Sequence, residues 1–179
     1  IGSNVVTIVD DPTLEHSYGY YAFDDEGVKA RRRFLYKDGV INEFLHNRES
    51  ASKLNAQSNG SSRSTNYDRE AIVRMANTFV LPGDMKEEEL FERVKEGIYI
   101  KSFTEWNIDD KRFNQRYVGR EAYVIENGEL KHPVKNTMIG TTVFDFLMNI
   151  DMASKELLDE SGRISPSTRI HSIKVASGL

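Results

Sequence analysis

The chain has 179 residues, 39% hydrophobic and 29% charged, with Lys+Arg 24 against Asp+Glu 28 for a net charge of -4. This length suffices for one core of ordinary size, so a single domain over 1–179 is expected, and the acidic balance gives no general attraction for nucleic acid or an anionic membrane. Having no cysteine excludes disulfides, thiol nucleophiles and thiolate zinc ligands within the chain.

No apolar run approaches the ~20 residues of a membrane span, and Ile1-Gly2-Ser3-Asn4 has no signal-peptide character. A soluble, cytoplasmic protein is expected, and the start at Ile1 suggests a piece of a longer one. Val5-Val6-Thr7-Ile8-Val9 is β-branched and reads as a strand, broken by Asp10-Asp11-Pro12. Tyr18-Gly19-Tyr20-Tyr21-Ala22-Phe23 reads as a second strand, ended by an acidic, exposed turn at Asp24-Asp25-Glu26-Gly27. Residues 33–45 read as a hairpin, because Asp38-Gly39 accepts the positive φ values of a tight turn. Residues 123–131 repeat that layout around Asn127-Gly128; a duplicated unit and steric convergence explain this equally well.

Residues 57–69, rich in Ser, Asn and Gly, are expected to be a long exposed loop. Asp84 is expected to cap a helix of about three turns, with Leu90, Phe91 and Val94 as its apolar stripe and Gly97 as its end. Residues 98–103 and 112–118 read as strands flanking the polar stretch 106–111. Thr141 or Thr142 is expected to cap another helix, burying Val143, Phe144, Leu147 and Ile150, and residues 169–175 alternate like a strand. The expected fold is α+β: predominantly antiparallel β-sheet, sandwich or barrel-like, with two or three short helices.

The histidines His16, His46, His132 and His171 form no HExxH or HExxxH pattern, so no metal site is assigned. His46 and Glu49 could share a helical face, but an isolated pair is weak evidence of a metal. Asp10-Asp11, Asp24-Asp25-Glu26 and Asp109-Asp110 lack EF-hand spacing and read as solvated turns. Asn59-Gly60-Ser61-Ser62-Arg63 could present amides and a cation to an anion, without P-loop spacing, and Arg31-Arg32-Arg33 reads as an edge-strand charge cluster.

Longer strings carry more. Residues 5–12, 19–28, Asp38-Gly39-Val40 through Leu45-His46-Asn47-Arg48-Glu49, Ser58-Asn59-Gly60 through Arg63, 74–84, 97–100 and 121–128 resemble, in order and spacing, the C-terminal domain of TldD proteins. The undivided stretch 101–110 looks more like archaeal members of this TldD/PmbA family. The resemblance implies a zinc metallopeptidase whose HExxxH lies upstream and whose metal site is completed by a C-terminal cysteine. It also implies pairing with a second TldD/PmbA subunit or a homodimer, peptide substrates, and the older label modulator of DNA gyrase. The expected cysteine region, 157–163, has none, so no catalytic residue carries over. Either Asp159 or Glu160 substitutes, or the parent is a partner-type member. Asn59, Arg63, Arg74 and Asn77 stand in family-like segments and are the candidate peptide-binding residues; loop bracing is the competing role for Arg74 and Asn77. A PmbA-like scaffold and a gyrase-modulating adaptor are the alternatives to a substrate-cleft domain.

Overall fold

The computed structural model describes the backbone of residues 1–160 and 163–178 and the side chains of residues 1–158 and 164–176. Antiparallel sheets dominate, joined by two six-residue α-helices, which makes the fold α+β. The chain divides into two compact units, one of Val6–Leu81 with Leu157–Pro166, the other of Ile1–Val5, Pro82–Glu156 and Ser167–Leu179.

In the first unit, β1 (Ile8–Asp10) lies between β2 (Arg33–Lys37) and β6 (Thr78–Val80), and β3 (Val40–Ile41) forms the outer edge beyond β2. Val6 and Val9 are fully buried and Phe79 nearly so. The β2–β3 hairpin turns at Asp38 (φ 50) and Gly39 (φ 76), both left-handed, as a two-residue primed turn requires. Helix α1 (Arg48–Lys53) starts at Asn47, whose side chain accepts from Ser50 N at 2.8 Å. β4 (Ser62–Arg63) and β5 (Ile72–Val73) form a separate ribbon.

Several expectations fail here. The stretch 18–23 is no strand: its backbone closes turns, with Tyr20 N donating to Ser17 O and Tyr21 N to Pro12 O, and only Phe23 makes a bridge, to Lys29. The segment 57–69 is not exposed throughout, since Asn59, Ser61 and Ser62 are buried. Asp10, Asp11 and Asp24 are buried rather than solvated, and Arg33 is fully buried rather than an edge charge, because these groups pair with one another or with backbone amides.

In the second unit, β7 (Glu96–Ile108), β8 (Asn114–Glu126) and β9 (Glu129–Thr142) make a long antiparallel meander. After it come α2 (Val143–Met148), β10 (Ile150–Glu160), β11 (Arg163–Ile170), which pairs with β10, and β12 (Lys174–Gly178), which adds beside β9; residues 157–160 of β10 and 163–166 of β11 belong to the first unit. The four-stranded sheet runs β12-β9-β8-β7 and stays open at both ends, so no closed barrel forms among the described residues. The β8–β9 turn again uses left-handed residues, Asn127 (φ 51) and Gly128 (φ 82).

The three-turn helix expected from Asp84 is reduced to a 3-10 turn, Glu87–Leu90. Arg93 turns left-handed (φ 65), and the Val94 and Lys95 carbonyls accept from Gly128 N and Asn127 N instead of continuing a helix. Thr142 does cap α2, accepting from Asp145 N at 3.0 Å, but none of that helix's residues is buried; the buried member of the expected face is Ile150, in β10.

Candidate functional site

The candidate residues of the first unit surround a buried ion pair. β1 presents Asp10 and the adjoining β2 presents Arg33, its directly opposite residue in the register. Arg33 Nη2 donates to Asp10 Oδ2 and, at 3.2 Å, to the Tyr21 hydroxyl; Nη1 donates to Gly60 O at 2.8 Å and Asn59 O at 3.3 Å. Asp10 Oδ1 accepts from Ala76 N at 2.8 Å and Thr78 Oγ1 at 2.9 Å. One buried pair thus ties both candidate segments, 59–63 and 74–78, to the central strand.

Asn59 is 3% exposed and spends its amide on the fold. Its Oδ1 accepts from His46 N and Ser61 Oγ, both at 2.9 Å, and its Nδ2 donates to Phe44 O at 2.8 Å. Asn77 likewise spans loops: Nδ2 donates to Asp11 O at 2.7 Å and Ser17 Oγ at 2.8 Å, and Oδ1 accepts from Gly19 N at 3.1 Å. Gly19 is obligatory beside it, because a Cβ there would meet the Ala76 backbone carbonyl carbon at 2.7 Å as well as Asn77 Oδ1 at 2.6 Å.

Arg63, on β4, donates from Nη2 to Met75 O and lies over the Tyr21 ring, 5.8 Å from its centroid, while its buried Nε has no partner among the described residues. Arg74 follows β5; its N–H is tied to Ser61 O at 2.8 Å, but its side chain is exposed and has no hydrogen-bond or ion-pair partner among the described residues. The ribbon therefore holds one engaged and one available guanidinium.

Neighbouring acids are kept ionised by their surroundings. Burial alone would raise the Asp11 carboxyl, but hydrogen bonds from Thr13 and Arg32 more than offset it and hold it below the usual range. Glu43 behaves alike: burial opposes, and Arg31, Phe34 N and Asn59 outweigh it.

Among the described residues no three His, Cys, Asp or Glu side chains converge where they could share a metal ion. His46 Nδ1 lies 3.2 Å from Ser50 Oγ, and Glu49 pairs with Lys53 at 2.5 Å, so the His46 and Glu49 pairing considered from sequence is not made. In the second unit His171 Nε2 reaches Asp151 Oδ2 at 2.6 Å, but Asp151 is otherwise taken by Arg169. The described side chains do not fit a zinc site of their own. Asp159 and Glu160, named as substitute ligands, lie outside the described side chains. Sequence reasoning missed the Asp10, Arg33 and Tyr21 assembly, and only the adjacency of acidic and basic clusters to predicted strands could have hinted at it.

Residues 1–177 match the family model described as PmbA/TldA metallopeptidase C-terminal domain. The chain belongs to this family. A metalloprotease of Methanocaldococcus jannaschii is 37% identical over 156 residues, covering 87% of this chain and 34% of that protein. The protein named zinc metalloprotease TldD homolog in Saccharolobus solfataricus is 34% identical, covering 90% and 37%. The chain thus spans about a third of the length of the curated PmbA/TldD relatives it matches. Among solved structures, a Thermotoga maritima protein described as a candidate modulator of a DNA gyrase is 26% identical with a TM-score of 0.82, covering 98% of this chain and 40% of that one. TldE of Thermococcus kodakarensis has the same TM-score and coverages at 21% identity, which shows the shared fold alone.

Proposed function

We propose that this chain is a single C-terminal domain that shapes the substrate cleft and assembly surface of a TldD-like zinc metallopeptidase acting on peptides or unfolded segments in the cytoplasm, and that it is not catalytic by itself. The observation that carries this reading is the match of residues 1–177 to the metallopeptidase C-terminal domain, supported by relatives named metalloproteases. The zinc then belongs to the parent's upstream part. A peptide adds to a sheet edge through main-chain hydrogen bonds, which suits broad specificity. The exposed Arg74 guanidinium and the remaining N–H groups of Arg63, whose Nη2 is held by Met75 O, anchor carbonyls or the terminal carboxylate of that peptide, while Asn59 and Asn77 hold the loops that present them. A second PmbA/TldD subunit, or a second copy, completes the assembly.

One observation favours a second reading. This chain carries no cysteine and so does not itself supply the thiolate that the family resemblance implies, which suits a PmbA-like scaffold subunit or a gyrase-modulating partner. Zinc stoichiometry and peptidase activity of the full-length parent, made without a metal-binding tag, separate the two. Zinc near one per chain with peptide cleavage supports the peptidase; a metal-free, inactive parent leaves the scaffold.

A further inference from the structure

Helix α2 is apolar at every position except Asp145, yet none of its residues is buried. Phe144 and Met148, one turn apart and on one face, are 42% and 60% exposed. Phe113, 44% exposed, packs its ring against Phe144 with centroids 5.9 Å apart, and its carbonyl accepts from Val143 N at 3.0 Å. Phe113, Phe144 and Met148 therefore form one apolar ridge.

The ridge is built firmly. Thr142 caps the helix and also donates to Asp145 Oδ2 at 2.8 Å, Asn149 Nδ2 donates to Asp145 O at 2.7 Å, and Phe146 packs inward on Tyr117 with centroids 6.0 Å apart. A six-residue helix gains little from its own hydrogen bonds and depends on packing of its apolar side chains. Three adjoining large apolar side chains left in water, two on such a helix and one beside it, mark a contact surface.

The neighbouring chain indicates what covers it. Ser3 N donates to Leu147 O at 3.0 Å, so the first residues run beside the C-terminal end of α2. The family model is that of a C-terminal domain, and this chain accounts for only 34% of the Methanocaldococcus relative. The upstream part of such a parent is tethered at the ridge through residues 1–5, and a short tether gives it a high local concentration there.

We propose that the ridge of Phe113, Phe144 and Met148 is the docking surface for the upstream part of the same parent polypeptide, which presents an apolar face to it. The proposal rests on the chain being the C-terminal domain of a longer protein, and not on that protein being a peptidase.

The test places the photo-reactive residue p-benzoylphenylalanine at position 148 of the full-length parent, irradiates at high dilution, and maps crosslinked peptides by mass spectrometry. Crosslinks joining position 148 to sequence upstream of Ile1, in a species that keeps the mass of one chain, are the expected result. A species of doubled mass alone makes the ridge a self-association surface. Crosslinks formed only with an added second PmbA/TldD subunit make it an inter-subunit surface, and no crosslink leaves it uncovered; each of these overturns the proposal. As a second readout, Phe144→Ser with Met148→Ser in the parent is expected to cause loss of hydrogen-exchange protection upstream of Ile1, and unchanged protection there also overturns it. A zinc-free, inactive parent with the intramolecular crosslink sinks the peptidase reading alone; an active parent crosslinked only to a second copy sinks the docking alone.

Discussion

Arg33 and Asp10 meet as an ion pair with neither side chain exposed to solvent, on adjacent strands and in direct register. Such a pair contributes modestly compared with an apolar isostere, because both charges give up their hydration. Removing one partner is different, since the other is left charged in a dry site. The backbone carbonyls of 59–60, the Ala76 N–H and the Thr78 hydroxyl all hang on the same two side chains, so their loss would release both candidate segments together.

Arg33→Ala in the parent is therefore expected to destabilise this unit by about 3–5 kcal/mol, whereas replacing both partners, Arg33→Met with Asp10→Leu, should cost less than the sum of the two single changes. Urea unfolding of the single and double variants provides the comparison. A double variant as damaged as the sum of its parts would show that the two residues act independently.

Arg74 and Asn77 should separate by readout. Asn77→Ala removes hydrogen bonds to Asp11 O, Ser17 and Gly19 N, and is expected to cost about 1–3 kcal/mol. Arg74→Ala touches no partner among the described residues and should leave stability within about 0.5 kcal/mol while weakening peptide binding by the parent. Fluorescence anisotropy with an unstructured peptide measures the second effect, and unaltered affinity would remove Arg74 from the proposed site.

Two turn glycines with similar φ should respond unequally to alanine. At Gly128 (φ +82) a new Cβ meets nothing closer than 3.6 Å, so the cost is the left-handed penalty of about 1–2 kcal/mol. At Gly60 (φ +74) the Cβ would also stand 2.9 Å from Lys29 O, a backbone atom that cannot rotate away. Gly60→Ala should lower the melting temperature more than Gly128→Ala; the reverse order would mean that the segment around Gly60 relaxes freely.

Acid should weaken both units from particular carboxyls. At Asp11 burial opposes ionisation but Thr13 and Arg32 prevail, and at Asp151 burial is likewise outweighed by Arg169 and His171, so both are held below the ordinary carboxylate value. A depressed folded-state pKa gives stability that is complete above the unfolded value of about 3.9 and lost as pH falls through the folded one. Asp11→Asn should flatten the acid limb of the urea midpoint against pH, and an unchanged limb would count against its ionised role.

Much of the local structure was readable in advance. Asp38-Gly39 and Asn127-Gly128 both sit in left-handed turns, and Thr142 caps its helix, because these depend on the steric freedom and hydrogen-bonding reach of a few adjacent residues. The candidate residues came from resemblance to family segments, and their division into braces and an available cation was not readable. Asn59 and Asn77 look like ordinary loop asparagines until the strands bring Phe44, Asp11 and Gly19 to them.

By itself, then, the sequence determined the antiparallel character of the fold, its hairpin turns at Asp38-Gly39 and Asn127-Gly128, the absence of thiol chemistry in this chain and the family likeness, all of which rest on short-range sterics, composition or shared strings. Only the tertiary structure decided that Asp10 and Arg33, 23 residues apart, would be buried together, that the stretch from Asp84 would stop after a 3-10 turn, and that α2 would leave its apolar ridge in water. A buried charge is tolerated only when partners satisfy it, and Asp10 meets Arg33 only once β1 and β2 pair. A helix likewise continues only where distant carbonyl and amide groups do not claim its backbone first.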